Sequence, residues 1–355
     1  MKLFDDADAS SMRHETGDGH LDIVCDLGTR SRLRLALFLL VLALSCSFVN
    51  AEQQTRRVYR IAFVGSTSPS TFPRSVTALW ERLRELGYIE GQNLIIESRW
   101  ADGHPDRLPA LMSEVVQRKV DVIVTWGTPA AIAAKEATAT IPIFVTAMGD
   151  PVGTGLVASL DRPGGNLTGF SGGLTDICGK WLEFLQETIP HLSTVAVLGD
   201  IDNLAHHAQA QELRSVAAER GLKVVAIYVR EPNDLDQAMV QSRRRAEALI
   251  VLSGTQSLTA QRRVVTLAAK HKLPAMYLPR DAVVAGGLMA YGPDFVVLFR
   301  RSADYVDRIL KGARPADIPI EQPRQYILAV NRKTAKSLGL VLPQSILVRA
   351  NEVVQ

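Results

Sequence analysis

Small hydroxyl, acidic and glycine residues follow the short β-rich runs of this chain in a repeating way. Gly65-Ser66-Thr67-Ser68 follows the run at 60–65, Trp126-Gly127-Thr128 follows 122–125, and Met148-Gly149-Asp150 follows 143–146. Further on, Gly199-Asp200 with Asn203 follows 195–198, and Ser253-Gly254-Thr255 follows 249–252. Glycines and small hydroxyl residues let backbone N–H groups approach a ligand, and helix N-termini favour a carboxylate or another anion. A carboxylate at Asp150 or Asp200 suits an ammonium group. Trp126 sits where an indole could stack on a ligand, and Tyr291 lies in a segment expected to cross beside a cleft. The set expected to bind a small zwitterion is therefore Ser66, Thr67, Trp126, Thr128, Asp150, Asp200, Asn203, Ser253, Thr255 and Tyr291. Ser, Thr and Asp at such positions also cap helices whatever the function, and Asp294 before the helix at 295–310 reads as a cap.

Nucleotide-binding signatures are missing from the sequence. It holds no Gly-x-x-x-x-Gly-Lys-Ser/Thr phosphate loop and no dinucleotide fingerprint around 149–155. The histidines after the leader, at 104, 191, 206, 207 and 271, lack metal-ligand spacing. His206 and His207 are adjacent and read as solvent-facing, and Cys178 reads as a small buried apolar residue. The expectation is a binding protein with no enzyme activity, cofactor or metal.

The elements that must position these residues alternate. Helical-period stretches at 72–86, 107–118 and 129–137 separate runs at 60–65, 94–99, 122–125 and 143–146. The rhythm restarts with helices at 180–188, 208–220, 235–245 and 260–270 between runs at 195–198, 224–229, 249–252 and 275–278. Strand–helix alternation at this pace predicts parallel sheets covered by helices on both faces. Glycine-rich intervals at 163–173 and 286–293 break the rhythm into two α/β sets, so two lobes joined by more than one crossing are expected.

At the N-terminus, Arg30, Arg32 and Arg34 precede the apolar run 35–44, and Val49-Asn50-Ala51 closes it. A basic flank, a short apolar core and small residues form a secretory leader, about half the length a transmembrane helix needs. Residues 1–51 are therefore expected to be an N-terminal extension and signal peptide. Release after Ala51 is expected, with lipidation at Cys46 as the alternative. Only Cys178 remains beyond the leader, which leaves no intramolecular disulfide. A net charge of +3 gives no argument for nucleic acid, and 47% hydrophobic content indicates a globular chain.

Several motifs, in order, carry a family resemblance. They include Gly87-Tyr88-Ile89-Glu90-Gly91-Gln92-Asn93, Asp150-Pro151-Val152 and Arg162-Pro163-Gly164-Gly165-Asn166-Leu167-Thr168-Gly169. Gly286-Gly287-Leu288-Met289-Ala290-Tyr291-Gly292-Pro293-Asp294 and Asn331-Arg332-Lys333-Thr334-Ala335 continue the series. Across 59–353 the chain resembles the ABC-transporter substrate-binding proteins of the tryptophan/tyrosine-type branch. The resemblance implies a type I periplasmic-binding fold: two Rossmann-like α/β lobes with parallel sheets and multiple crossings. By analogy the first lobe holds 58–168 with 288–314, and the second holds 169–287 with 315–355. It also implies a periplasmic, monomeric receptor that closes on a small solute, such as an aromatic amino acid, for an ABC permease in the inner membrane. A sensor presenting a ligand to a membrane signalling protein is the alternative. The chain departs from the branch in its apolar first helical turn after Asp294, Phe295-Val296-Val297-Leu298-Phe299.

Overall fold

Strand β1 (Tyr59–Gly65) is buried on both faces, and its alternation divides the work between them. Ile61 and Phe63 join one apolar cluster while Ala62 and Val64 join another. The computed structural model describes residues 57–173, 177–254 and 260–355, so the leader, Cys46, Ala51 and Thr255 lie outside the described residues. Val58–Gln355 is one compact unit.

The first lobe is a five-stranded parallel sheet ordered β2-β1-β3-β4-β5. Its other strands are β2 (Leu94–Trp100), β3 (Val122–Thr125), β4 (Ile143–Met148) and β5 (Leu167–Ser171). Helix α1 (Pro73–Glu85) covers the face to which Phe63 belongs; α2 (Leu108–Gln117) and α3 (Thr128–Ala137) cover the other. The second lobe holds β6 (Thr194–Asp200), β7 (Lys223–Val229), β8 (Ala248–Val251), β9 (Ala275–Tyr277), β10 (Met289–Pro293), β11 (Tyr326–Asn331) and β12 (Glu352–Val354). They form a seven-stranded sheet ordered β12-β11-β10-β9-β8-β6-β7. All its pairings are parallel except β10 with β11. Helices α4 (Cys178–Thr188) and α5 (Leu204–Glu219) pack on one face; α6 (Leu235–Arg245), α7 (Gln261–Lys270) and α8 (Asp281–Val284) pack on the other.

Helix α9 (Phe295–Leu310) returns to the first lobe. Phe295, Leu298, Phe299, Ser302, Ala303, Val306 and Ile309 recur at helical spacing and form its buried stripe, laid against α1. Arg82–Asp304 and Arg300–Glu85 ion pairs and a Tyr88 hydroxyl that donates to Asp307 Oδ1 (2.9 Å) edge that contact.

Sheet membership corrects the expected lobe boundaries. Gly169–Ser171 stays in the first sheet as the end of β5, so the first crossing follows Ser171. Met289–Pro293 pairs with β9 and β11, which moves the second crossing to Asp294. Residues up to Glu321 still belong to the first lobe, because Ile318 O accepts from Thr168 Oγ1 (2.8 Å) and Glu321 O from Ser171 N–H (2.9 Å). The chain then re-enters the second lobe at β11. Both glycine-rich stretches therefore contain a strand, hidden by the turn-like Gly169 and Gly292-Pro293.

Candidate functional site

The carboxyl ends of β1, β3 and β4 face those of β6 and β8 across the cleft, as open parallel sheets place their ligands. A cavity of about 30 Å³ lies between them. From the first lobe, Ser66, Trp126, Thr128, Ala147, Met148 and Gly149 wall it. From the second come Asn203, Ala205, His206, Ser253, Gly254 and Leu278, and Phe295 closes it from the start of α9. A volume of that size suits a water or two. Leu278 and Phe295 also line a second small cavity, which shares Arg74 and Asp281 with an open groove of about 600 Å³.

One end of the cavity is aromatic. Trp126 packs on Phe72 with ring centroids 5.1 Å apart and meets Phe295 edge-on at 6.4 Å. Phe72 and Phe295 are themselves 5.6 Å apart. Polar groups also contribute to the wall. Thr128, at the first position of α3, accepts from Gly149 N–H at 3.0 Å, tying two loops of the first lobe together. Asn203 caps α5 by accepting from Ala205 N–H at 3.1 Å. Asp200 is buried immediately behind Gly254: a Cβ on Gly254 would fall within 3.0 Å of the Asp200 carboxylate and of the His206 ring.

His206 knits this floor together. Its Nδ1 accepts from Asp200 N–H (2.8 Å), which fixes the proton of a neutral ring on Nε2. Burial pushes its pKa below the ordinary imidazole value, against the pull of the Asp200 carboxylate and a bond to the Ser253 backbone.

Among the expected site residues, Ser66, Trp126, Thr128, Asn203 and Ser253 meet in the cavity wall, with Asp200 one shell behind. Thr67 is buried next to the wall but is not part of it; its carbonyl accepts from Asp102 N–H (3.3 Å). Asp150 turns its carboxylate to its own loop, accepting from Gly153 N–H at 2.8 Å. Tyr291 is corrected more fully: it belongs to β10, stacks on Tyr326 at 5.6 Å and meets Phe184 edge-on at 5.1 Å, outside the wall. Cys178 is fully buried, and Asp294 caps α9 through Val296 N–H (3.0 Å) and Val297 N–H (3.2 Å).

The sequence reading missed His206 and Phe295. Only His207 is exposed, stacking on Tyr228 at 4.6 Å. His206 shares the buried face of α5 with Ala210, Leu213 and Ala217, a helical spacing that signals burial. The apolar first turn of α9 is the corresponding signal for Phe295.

Two α/β lobes with a cleft between the carboxyl ends of their strands form an architecture suited to holding a small solute. Residues 65–354 match the family of ABC transporter substrate binding proteins, and the chain belongs to that family. Its members bind substrates and are not enzymes. A tyrosine-binding protein of Clostridioides difficile (strain R20291) is 28% identical over 258 residues, spanning 73% of this chain and 74% of that protein. An ABC domain from Streptococcus pneumonia in complex with L-Trp superposes with a TM-score of 0.78 at 25% identity, over 84% of this chain and 100% of that one. A ligand-free, open substrate-binding protein with adhesive properties from Clostridium difficile is 26% identical over the same shares, with a TM-score of 0.62. This chain is thus nearer in shape to the L-Trp complex than to the open form. No helix among the described residues is long and apolar enough to cross a membrane.

Proposed function

We propose that the chain is an exported receptor that closes its lobes on an aromatic amino acid and delivers it to an ABC permease of the inner membrane. The observation that carries this reading is the interlobe cavity, walled by Trp126 and Phe295, on which Phe72 packs, and by Asn203 and Ser253, with Asp200 buried behind Gly254. The aromatic end takes the ring of the solute. Asp200 takes its ammonium group, and Ser66 with the N-terminus of α3 takes its carboxylate. Closure follows from the higher affinity of the solute for the state in which both lobes touch it. The L-Trp-bound and tyrosine-binding relatives support this choice of solute, and the leader-like segment ending at Ala51 supports export.

A thermal-shift screen against amino acids, short peptides, purines and sugars tests the reading. A solute at about 100 times its Kd adds about 2.7 kcal/mol of stability. Stabilisation by aromatic amino acids alone is expected; stabilisation by a sugar or purine alone contradicts the assignment.

A further inference from the structure

Among the described residues, two polar side-chain atoms in the wall of the interlobe cavity are buried without a hydrogen-bond partner: Trp126 Nε1 of the first lobe and Ser253 Oγ of the second. Trp126 is 7% exposed and lies in the aromatic end, between Phe72 and Phe295. A buried indole N–H ordinarily finds an acceptor, because leaving it unpaired forfeits its hydration. Its chemistry is also one-sided: it donates and cannot accept. A serine hydroxyl can play either role, so the constraint on the solute comes from Trp126.

We infer that Trp126 is a specificity residue whose indole N–H selects an aromatic amino acid carrying an acceptor at its ring end. This deepens the function proposed above and rests on it. Because Nε1 belongs to the aromatic wall, the group it meets is the far end of the solute ring and not the carboxylate, which the α3 N-terminus and Ser66 take. A phenolic oxygen accepts such a bond. The ring edge of phenylalanine has no acceptor, and the indole N–H of tryptophan is itself a donor, so two donors would face each other. A site that offers a buried donor loses affinity for a solute that leaves it unpaired, which makes the para-hydroxyl the discriminating feature.

The test is titration calorimetry of the full chain with L-tyrosine, L-phenylalanine, L-tryptophan and 4-methylphenylalanine, which matches tyrosine in size without an acceptor. Tyrosine is expected to bind about tenfold or more tighter than 4-methylphenylalanine and phenylalanine. In Trp126→Phe, which keeps an aromatic wall and removes the donor, the preference should fall below about threefold, through loss of tyrosine affinity alone. Equal binding of all four solutes to the natural protein overturns the inference without touching the receptor assignment. So does a Trp126→Phe variant that weakens every solute alike, since Trp126 is then only a wall. Binding of none of the four overturns the receptor reading and this inference together. If Trp126→Phe fails to fold, the natural protein's own ranking still overturns the inference when tyrosine binds no tighter than 4-methylphenylalanine.

Discussion

Gly149 of the first lobe lies directly against Ala205 of the second, so close that a Cβ on Gly149 would fall within 3.0 Å of the Ala205 side chain. Thr128 Oγ1 would stand 3.2 Å from the same Cβ. The lobes meet here backbone to methyl. Gly149→Ala is therefore expected to hold the lobes apart and to weaken solute binding by about tenfold or more. Pairing it with Ala205→Gly should restore most of the loss, because the second change removes the methyl that clashes. A double-mutant cycle by calorimetry reads both effects.

Asp150 follows β4 and Asp200 ends β6, yet only Asp200 is buried directly behind the cavity wall. Asp200→Asn is expected to weaken an amine-bearing solute by about tenfold or more, about 1.4 kcal/mol. Asp150→Ala should leave affinity unchanged, since that carboxylate bonds the N–H of Gly153 in its own loop. Equal losses in the two variants would remove Asp200 from the ammonium site.

His206 gives the fold a pH dependence whose sign is fixed by burial. Its folded pKa lies below the ordinary value of 6.5, so between the two values the unfolded chain binds the proton and the folded chain does not. The stabilisation is full above pH 6.5 and is lost as pH falls below it. Melting temperature should therefore decline from pH 7 toward about pH 5, and the decline should be smaller in His206→Asn. The amide of Asn can still accept from Asp200 N–H but does not titrate. Parallel melting curves for the two proteins across that range would show that His206 is not the titrating group.

Asp294 closes the first turn of α9 at the crossing between the lobes. Asp294→Ala leaves the Val296 and Val297 N–H groups without their acceptor and should cost about 1 kcal/mol in urea denaturation. Asp294→Asn, an equivalent cap, should cost little. A large loss in both variants would point to the charge rather than the cap.

Much of the fold was legible in the sequence because the interior strands are continuous apolar runs. Val122–Thr125 and Ala248–Val251 are buried throughout, as a sheet covered on both faces demands. Strands β5 and β10 were not legible, because glycine and proline inside them read as turns while their partners lie far along the chain. The start of α5 was also obscured: His206 and His207 hid a first turn that Asn203 caps. In the site, the residues at strand ends were readable from chain order alone. The aromatic trio was not, since Phe72, Trp126 and Phe295 come from three separate elements that meet only after α9 returns to α1. Nor could the sequence separate a capping carboxylate at Asp150 from a cleft carboxylate at Asp200; only their neighbours, Gly153 and Gly254, distinguish them.

The most direct measurement is equilibrium dialysis of the purified protein against radiolabelled L-tyrosine and L-tryptophan. Retention of about one aromatic amino acid per chain, saturating at about 10 μM or below, is the expected result. It should be displaced by unlabelled aromatic amino acids and not by glucose or adenine. No retention of either label, with a solute of another class held in its place, would contradict an aromatic amino acid receptor.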